Sequence, residues 1–286
     1  MNNILFSNEL TIFFIILLGA IFGSFAAAII HRAPLGISII WPRSKCNNCN
    51  QIIKPIHLIP IISWLLLKGK CSFCKKYIGS RELFIEFLFI ILSITIFLKY
   101  HISFVALEKF IFCFLLICIA YIDLDYFFIP TWLITLFSFF GLFILFYYFY
   151  NPQEWIPLNS NWYFLPTILQ NKNFCIIDHL MASIFGGGFF SIINIAFTYL
   201  LRKTGRLTKQ QWAMGWGDPW LIAILGLFLG AKALFLTIFI ASFLGSLCGI
   251  IQKLYPKNYK LGEDIATNAL PYGPFLAVAA IFVYLV

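Results

Sequence analysis

Charge is scarce in this 286-residue chain, because only 11% of its residues are Asp, Glu, Lys or Arg while 62% are hydrophobic. The chain also lacks the alternation of apolar and polar residues that is typical of transmembrane β-strands. Continuous apolar runs of about 17–25 residues are instead long enough to cross a hydrocarbon layer as helices. Together with a mean hydropathy of +0.92, these runs predict an all-α polytopic membrane protein. They argue against a soluble globular protein and against a β-barrel.

Basic residues are absent from the first nine positions and concentrate in three later loops. Of the 20 Lys and Arg residues, nine lie in residues 32–81, four in residues 202–209 and three in residues 252–260. Alternate loops rich in Lys and Arg are typical of the cytoplasmic side of a membrane protein. The missing basic start argues against a cleaved signal peptide. No basic helix with interleaved aromatic residues accompanies the net charge of +9, which argues against nucleic-acid binding.

Eight transmembrane helices are predicted from the apolar runs, and this count places both termini outside the cytoplasm. The predicted spans are Thr11–Ile30, Leu83–Leu98, Val105–Tyr121, Thr131–Tyr150, 180–201, 219–231, 233–251 and 268–286. The chain then divides into a first transmembrane helix in residues 1–31, a cytoplasmic loop domain in 32–81 and a membrane-embedded domain in 82–286.

Four of the eight cysteines form two CxxC pairs inside the cytoplasmic loop domain. Cys46 and Cys49 make the first pair, and Cys71 and Cys74 make the second after 21 intervening residues. Two such pairs are able to wrap four thiolates tetrahedrally around one Zn²⁺. Disulfide pairing is the structural alternative, although disulfides rarely persist in the cytoplasm. We therefore expect a structural zinc site that holds this small loop domain together.

Two carboxylates stand where apolar runs meet polar loops, Asp123 in Ile122–Tyr126 and Asp218 after Gly217. An ionisable group beside hydrocarbon is costly and is a functional candidate by default. Two neighbouring carboxylates do not easily ionise together, so such a pair is able to act as acid and base on a peptide bond. The alternatives that remain open are helix capping or pairing with Lys or Arg, and coordination of an ion on a transport path.

Several short segments follow one another in a distinctive order. They are Gly23-Ser24-Phe25, the two CxxC pairs with Ile59–Leu65 and Lys68–Cys71 between them, Ser80-Arg81 with Glu86, Asp123-Leu124-Asp125 with Pro130, Gly215-Trp216-Gly217-Asp218, and Pro271–Ala277. With these segments the chain resembles the bacterial type IV prepilin peptidases, also called leader peptidase/N-methyltransferases, over nearly its whole length.

The resemblance implies a membrane aspartic endopeptidase of the bacterial inner membrane, with Asp123 and Asp218 as the catalytic pair. Asp125 is the second choice for the first position, because the distance to Pro130 favours Asp123. The implied substrates are type IV prepilins or type II secretion pseudopilins, whose basic leader is cut on the cytoplasmic side. The implied second activity methylates the new N-terminus with S-adenosylmethionine, and the resemblance ties the zinc loop to that step.

Two departures from the family pattern concern positions beside these motifs. Ala26-Ala27-Ala28 stands where the family has Leu-Asn-Val, and Pro219-Trp220-Leu221 stands where it has an apolar residue, Lys and Leu. The competing hypothesis is a non-enzymatic transporter or assembly scaffold with a zinc docking module. A transporter is expected to place its carboxylates near the bilayer midplane, whereas both aspartates are predicted near the cytoplasmic face.

Overall fold

The computed structural model of the chain describes residues 2–41, 43–46, 48–151, 172–205, 208, 212–254 and 270–285. Within these ranges all regular elements are helices, and the only β pairing is two isolated bridges, Lys45 with Ile52 and Lys70 with Tyr77. The predicted all-α architecture is therefore confirmed.

The described ranges contain eight α-helices. In chain order they are α1 (Asn2–Arg32), α2 (Ile62–Leu66), α3 (Arg81–Tyr100), α4 (Phe104–Tyr126), α5 (Thr131–Tyr150), α6 (Lys172–Lys203), α7 (Gly217–Leu254) and α8 (Gly273–Leu285). Two 3₁₀ turns, Ala33–Leu35 and Pro55–Leu58, lie between α1 and α2. By length and hydropathy, six helices in the described residues are able to cross a membrane: α1, α3, α4, α5, α6 and α7.

Helix α7 contains two of the predicted spans, because its backbone leaves helical geometry at Gly230 (φ 70°, ψ 176°). Ile222 precedes this break and Leu234 follows it, yet both side chains border Gly186 of α6. The chain therefore reverses at Gly230, and residues 217–229 and 231–254 run alongside each other. Such a φ is unstrained only for glycine. The last predicted span, 268–286, is shorter than expected, since its helix begins only at Gly273.

The chain forms two compact units, residues 1–118 and 119–286, and the division falls within α4. In the first unit α1 packs closely against α3 through two glycines. A Cβ atom on Gly19 would lie 2.8 Å from the Cα atom of Ile90, and one on Gly23 would lie 2.7 Å from the Cα atom of Glu86. Such small residues let membrane helices approach closely. Aromatic rings extend this contact, with centroids 5.1–6.3 Å apart among Phe22, Phe25, Phe89, Phe110 and Phe114.

Glu86 of α3 connects this helix to the loop between α1 and α3. Its carboxylate is buried and accepts a hydrogen bond of 2.7 Å from the N–H of Ile61. Ile61 has a φ of 61°, which is unusual for a β-branched residue. The Trp64 indole N–H donates a further bond of 2.6 Å to the carbonyl of Gly79. These contacts fix the segment between the two CxxC pairs against the beginning of α3.

In the second unit α6, α7 and α8 pack together, and the reversal at Gly230 is held by the start of α6. The Asp178 carboxylate accepts a 3.1 Å hydrogen bond from the N–H of Ala231, the first residue after the break. His179 Nδ1 lies 2.9 Å from the carbonyl oxygen of Leu227. Both contacts satisfy backbone groups that the interrupted helix leaves without a helical partner.

Replacing Gly226 by Ala tests the α6–α7 packing. A Cβ atom there would lie 2.6 Å from the N atom of Ser183 and 2.7 Å from the carbonyl carbon of Ala182. Because backbone atoms are unable to move aside cheaply, we expect Gly226→Ala to lower the free energy of unfolding by about 1–3 kcal/mol. Thermal unfolding in detergent measures this change.

Gly188→Ala is the matched control, since no atom lies within 4 Å of the Cβ position at Gly188. We expect it to be neutral or to stabilise α6 by about 0.5–1 kcal/mol, because alanine favours a helix over glycine. Equal melting temperatures for the two variants would contradict the proposed close packing.

Candidate functional site

Asp123 lies in the last turn of α4 and is buried, with 6% of its surface exposed. Its Oδ2 atom accepts a 3.0 Å hydrogen bond from the N–H of Gly273, at the start of α8. A Cβ atom on Gly273 would lie 2.6 Å from that same oxygen, so only glycine allows this approach. The bond joins residues 150 positions apart in the sequence and fixes the direction of the Asp123 carboxylate.

Asp218 is the second residue of α7 and is also buried, with 9% of its surface exposed. Its N–H donates to the carbonyl of Gly215 at 3.3 Å, so the Gly-x-Gly-Asp segment turns tightly into the helix. Gly217 packs on Ile129, since a Cβ atom at Gly217 would lie 2.9 Å from Ile129 Cδ1. The connection between α4 and α5 therefore holds the beginning of α7 in place.

The two predicted carboxylates lie near each other, close enough for the charge of Asp123 to act on Asp218. In the part of the chain that the structure describes, neither carboxylate forms an ion pair with Lys or Arg. The alternative of pairing with Lys or Arg therefore has no support in those residues. Asp125, the second choice, is only half-buried and does not receive the Gly273 bond.

Tyr272 lies near Asp218. Its hydroxyl lies 3.0 Å from Ser242 Oγ, on the second segment of α7, and the ring lies within electrostatic reach of Asp218. A cleft of about 360 Å³ opens beside this contact. The cleft is lined by Ser242, Gly245, Ser246, Leu270, Pro271, Tyr272 and Phe275. Of these lining residues, Tyr272 is the one that also lies near Asp218.

The two CxxC pairs form two turns of the same design. In the first turn the N–H of Cys46 donates to Gln51 and the N–H of Asn50 donates back to Cys46; in the second, Cys71 bonds with Lys76 and Lys75 in the same way. Asn50 and Lys75 occupy equivalent positions and have φ values of 56° and 58°. The repeated turn gives each pair the same approach to a common centre.

The four sulfur atoms of Cys46, Cys49, Cys71 and Cys74 all lie within 4.8 Å of one another. Cys46 and Cys74 are 4.0 Å apart, as are Cys49 and Cys71. Four sulfurs bound tetrahedrally at the usual Zn–S distance would be about 3.8 Å apart. All four thiols are free, so the disulfide alternative is not supported, and a tetrahedral metal ion fits the cluster.

Backbone N–H groups favour thiolates at two of the four cysteines. The N–H groups of Cys49 and Asn48 lower the pKa of Cys46, and the N–H of Lys76 with the Asn48 side chain lowers the pKa of Cys74 to about 6. At Cys49 the N–H of Gln51 acts in the same direction, but burial and the neighbouring sulfurs raise its pKa to about 11. Four thiolates at this spacing therefore require a cation among them.

Sequence reasoning missed three contributors to the site. Gly273 was recognised within a motif, but its N–H bond to Asp123 depends on the folded arrangement. Asn194 and Thr198 stand in the apolar run of α6, and both contact the segment that precedes Asp218. A polar side chain inside an apolar run indicates a candidate for function, and Asn194 and Thr198 are both of this kind.

Comparison with known families and proteins covers most of the chain. Residues 17–100 match the family described as the bacterial peptidase A24 N-terminal domain. Residues 110–250 match the type IV leader peptidase family. These two matches correspond to the loop domain with its neighbouring helices, and to the helices that carry both aspartates.

Curated relatives are similar over most of their length. The prepilin leader peptidase/N-methyltransferase of Pseudomonas aeruginosa is 28% identical over 92% of this chain and 86% of that protein. The protein of the same name from Dichelobacter nodosus is 28% identical over 98% of this chain and 93% of that protein. The one from Myxococcus xanthus is 28% identical over 90% of this chain and 69% of that protein. No solved structure matches the chain significantly.

Proposed function

This chain belongs to the type IV leader peptidase family, and we propose that it removes the leader peptide from prepilins with Asp123 and Asp218 as its catalytic pair. The observation that carries the proposal is the meeting of two buried carboxylates from α4 and α7, one of them oriented by the N–H of Gly273. The transporter or scaffold alternative has no comparable support, since the curated relatives are named as enzymes.

The chemistry follows from one proton shared between two carboxylates. The ionised aspartate takes a proton from a water molecule, whose oxygen attacks the carbonyl carbon of the scissile bond. The protonated aspartate gives its proton to the carbonyl oxygen. When the tetrahedral intermediate collapses, the C–N bond breaks, and the leaving amine takes up the proton that the first aspartate received from water. One hydroxyl of the intermediate returns its proton to the second aspartate, which leaves a carboxylic acid and restores the pair. The Gly273 N–H keeps the Asp123 carboxylate aligned throughout.

The proposed substrates are type IV prepilins or type II secretion pseudopilins with a basic leader and an apolar N-terminal helix. The apolar exterior of the helices suits a substrate that is itself embedded in the membrane. The cleft beside Tyr272 offers room for residues next to the scissile bond. We place the enzyme in the bacterial inner membrane with its N-terminus outside, because the basic loops then face the cytoplasm.

We propose a second activity, N-methylation of the new N-terminus, since the relatives carry both activities in their names. S-adenosylmethionine would supply an electrophilic methyl group to the free amine. The cysteines Cys46, Cys49, Cys71 and Cys74 would hold a structural zinc ion. Because four protein ligands fill a tetrahedral zinc ion, this metal would stabilise the loop domain and would not bind substrate.

Asp123→Asn and Asp218→Asn should each abolish leader cleavage. Each change removes a group that accepts or gives a proton, so we expect losses of about 10²–10⁴-fold. The measurement is conversion of a prepilin with a basic leader by the purified enzyme in detergent or vesicles, followed by gel shift. Asp125→Asn is the control, because this half-buried neighbour is expected to keep activity within about threefold of the original.

Two results would change the proposal. An inactive Asp125→Asn enzyme beside an active Asp123→Asn enzyme would move the first catalytic position to Asp125. Full cleavage by the Asp218→Asn enzyme would remove the aspartate pair altogether.

Zinc analysis of the purified protein should give about one zinc ion per chain, bound by four thiolates. We expect Cys46→Ser or Cys71→Ser to lower that content and to lower the melting temperature, because the loop domain lacks a large apolar core. Cys248→Ser is the matched control, since Cys248 is an exposed cysteine on α7. Unchanged zinc in the Cys46→Ser protein would contradict the assignment.

The same cysteine variants should separate the two activities. Zinc loss is expected to reduce methylation of the product more than leader cleavage, because the aspartates and their contacts lie outside the loop domain. Mass spectrometry of the mature pilin N-terminus measures methylation, and gel shift measures cleavage. Equal losses at normal protein levels would contradict this separation, and an unmethylated product from the original enzyme would exclude the second activity.

A further inference from the structure

Two polar residues of α6 hold the backbone that leads to Asp218. We propose that Asn194 and Thr198 are positioning residues, which fix residues 212–217 and thereby set the place of the Asp218 carboxylate. The proposal rests on the role of Asp218 in leader cleavage, and it adds two residues outside the short segments that carry the resemblance.

Four hydrogen bonds connect these two side chains with one another and with the segment. The Asn194 side chain donates to the carbonyl of Met214 at 2.9 Å and accepts from the N–H of Met214 at 3.1 Å. Thr198 Oγ1 accepts from the N–H of Ala213 at 3.0 Å and donates to Asn194 Oδ1 at 3.4 Å. Each side chain is 1% exposed. The carboxamide of Asn194 thus pairs with both backbone groups of a single residue.

The position of these residues on α6 explains their chemistry. Asn194 and Thr198 are four residues apart and therefore share one helix face. Nearer the start of α6, Gly187 and Ser183 pack against α7 where α7 is helical and bonds its own backbone. Residues 212–216 are not helical, so their N–H and C=O groups need other partners in an apolar surrounding. Asn194 and Thr198 supply those partners.

The residues between Met214 and Asp218 restrain their own backbone conformation only weakly. Gly215 and Gly217 flank Trp216, and glycine gains the most backbone freedom of all residues when unrestrained. Gly217 is restrained from outside the segment by Ile129. Within the segment, the Trp216 ring contacts the Trp212 ring at a centroid distance of 5.0 Å. The pairing of Asn194 with Met214 fixes the other end of this short segment.

A catalytic carboxylate tolerates little displacement, since misplacement of about 1 Å is able to cost about 10²-fold in rate. Freeing Ala213 and Met214 would let Asp218 move relative to Asp123 without altering the cleft beside Tyr272. The effect is therefore expected in kcat and not in KM. General loss of stability would instead lower the amount of active enzyme. Substitution of a buried residue elsewhere would then have the same effect.

The test compares isosteric variants in the prepilin cleavage assay. We expect Thr198→Val and Asn194→Leu each to lower kcat by about 10–100-fold, with KM within about threefold of the original. Thr198→Ser keeps the hydroxyl and should restore kcat to within about threefold. Because both residues act on one segment, the kcat of the double variant should be little lower than that of the less active single variant.

Thr237→Val is the matched control. Thr237 is fully buried on α7, and its hydroxyl donates at 2.8 Å to the Ala233 carbonyl of its own helix. This variant should keep kcat, and an equal loss there would overturn the proposal. So would full kcat in both Thr198→Val and Asn194→Leu, or a loss confined to KM. An original enzyme that cleaves no prepilin would reject the proposed function itself.

Hydrogen exchange gives a readout that needs no activity. In Thr198→Val the amide of Ala213 should exchange faster by about tenfold or more, since its hydrogen-bond acceptor is gone, whereas Thr237→Val should leave the 212–218 peptide unchanged. Unchanged exchange of this peptide in Thr198→Val would overturn the proposed positioning role of Thr198. If Asn194→Leu is not recovered as folded protein, the exchange and kcat of Thr198→Val decide the matter alone.

Discussion

The structure around the aspartates depends on one constraint: a carboxylate inside an apolar helix bundle needs a donor, and the nearest donors are backbone N–H groups where helices start. Asp123 meets such a group at Gly273, the first residue of α8. Asp218 stands in the first turn of α7, where the helix dipole favours negative charge. Helix starts at α7 and α8 therefore create an environment in which both carboxylates are tolerated.

Close helix approach makes this environment possible, and missing side-chain atoms make the approach possible. Gly273 touches the Asp123 carboxylate, Gly217 touches Ile129, and Gly226 touches the backbone of α6 at Ser183. A methyl group at any of these positions would collide with its neighbour. The reversal at Gly230 then returns the chain to Tyr272, so that Ser242 on the second segment of α7 reaches the site.

Local pattern was enough to predict the apolar helices and the cysteine cluster, because each depends on composition and spacing over a few residues. Contacts between distant segments are not predicted by local sequence pattern. Nothing near Asp123 in the sequence indicates that its partner is the N–H of Gly273. The apolar runs predict a boundary between the spans 219–231 and 233–251, but the positive φ that places the reversal at Gly230 is known only from the structure. The roles of Asn194 and Thr198 were missed because the sequence does not indicate which backbone group a polar residue in an apolar run will bind.

Three carboxylates of the described residues share one arrangement, in which each accepts a hydrogen bond from a backbone N–H. Glu86 accepts from Ile61, Asp178 from Ala231 and Asp123 from Gly273, each at a point where a helix begins or breaks. Among the described residues no side-chain hydrogen bond engages the Asp218 carboxylate, although Asp218 is buried. Burying a carboxylate without such a donor is unfavourable, and a shared proton or a water molecule would relieve that cost. The burial of Asp218 therefore fits a group that completes its bonding only with Asp123, water and substrate.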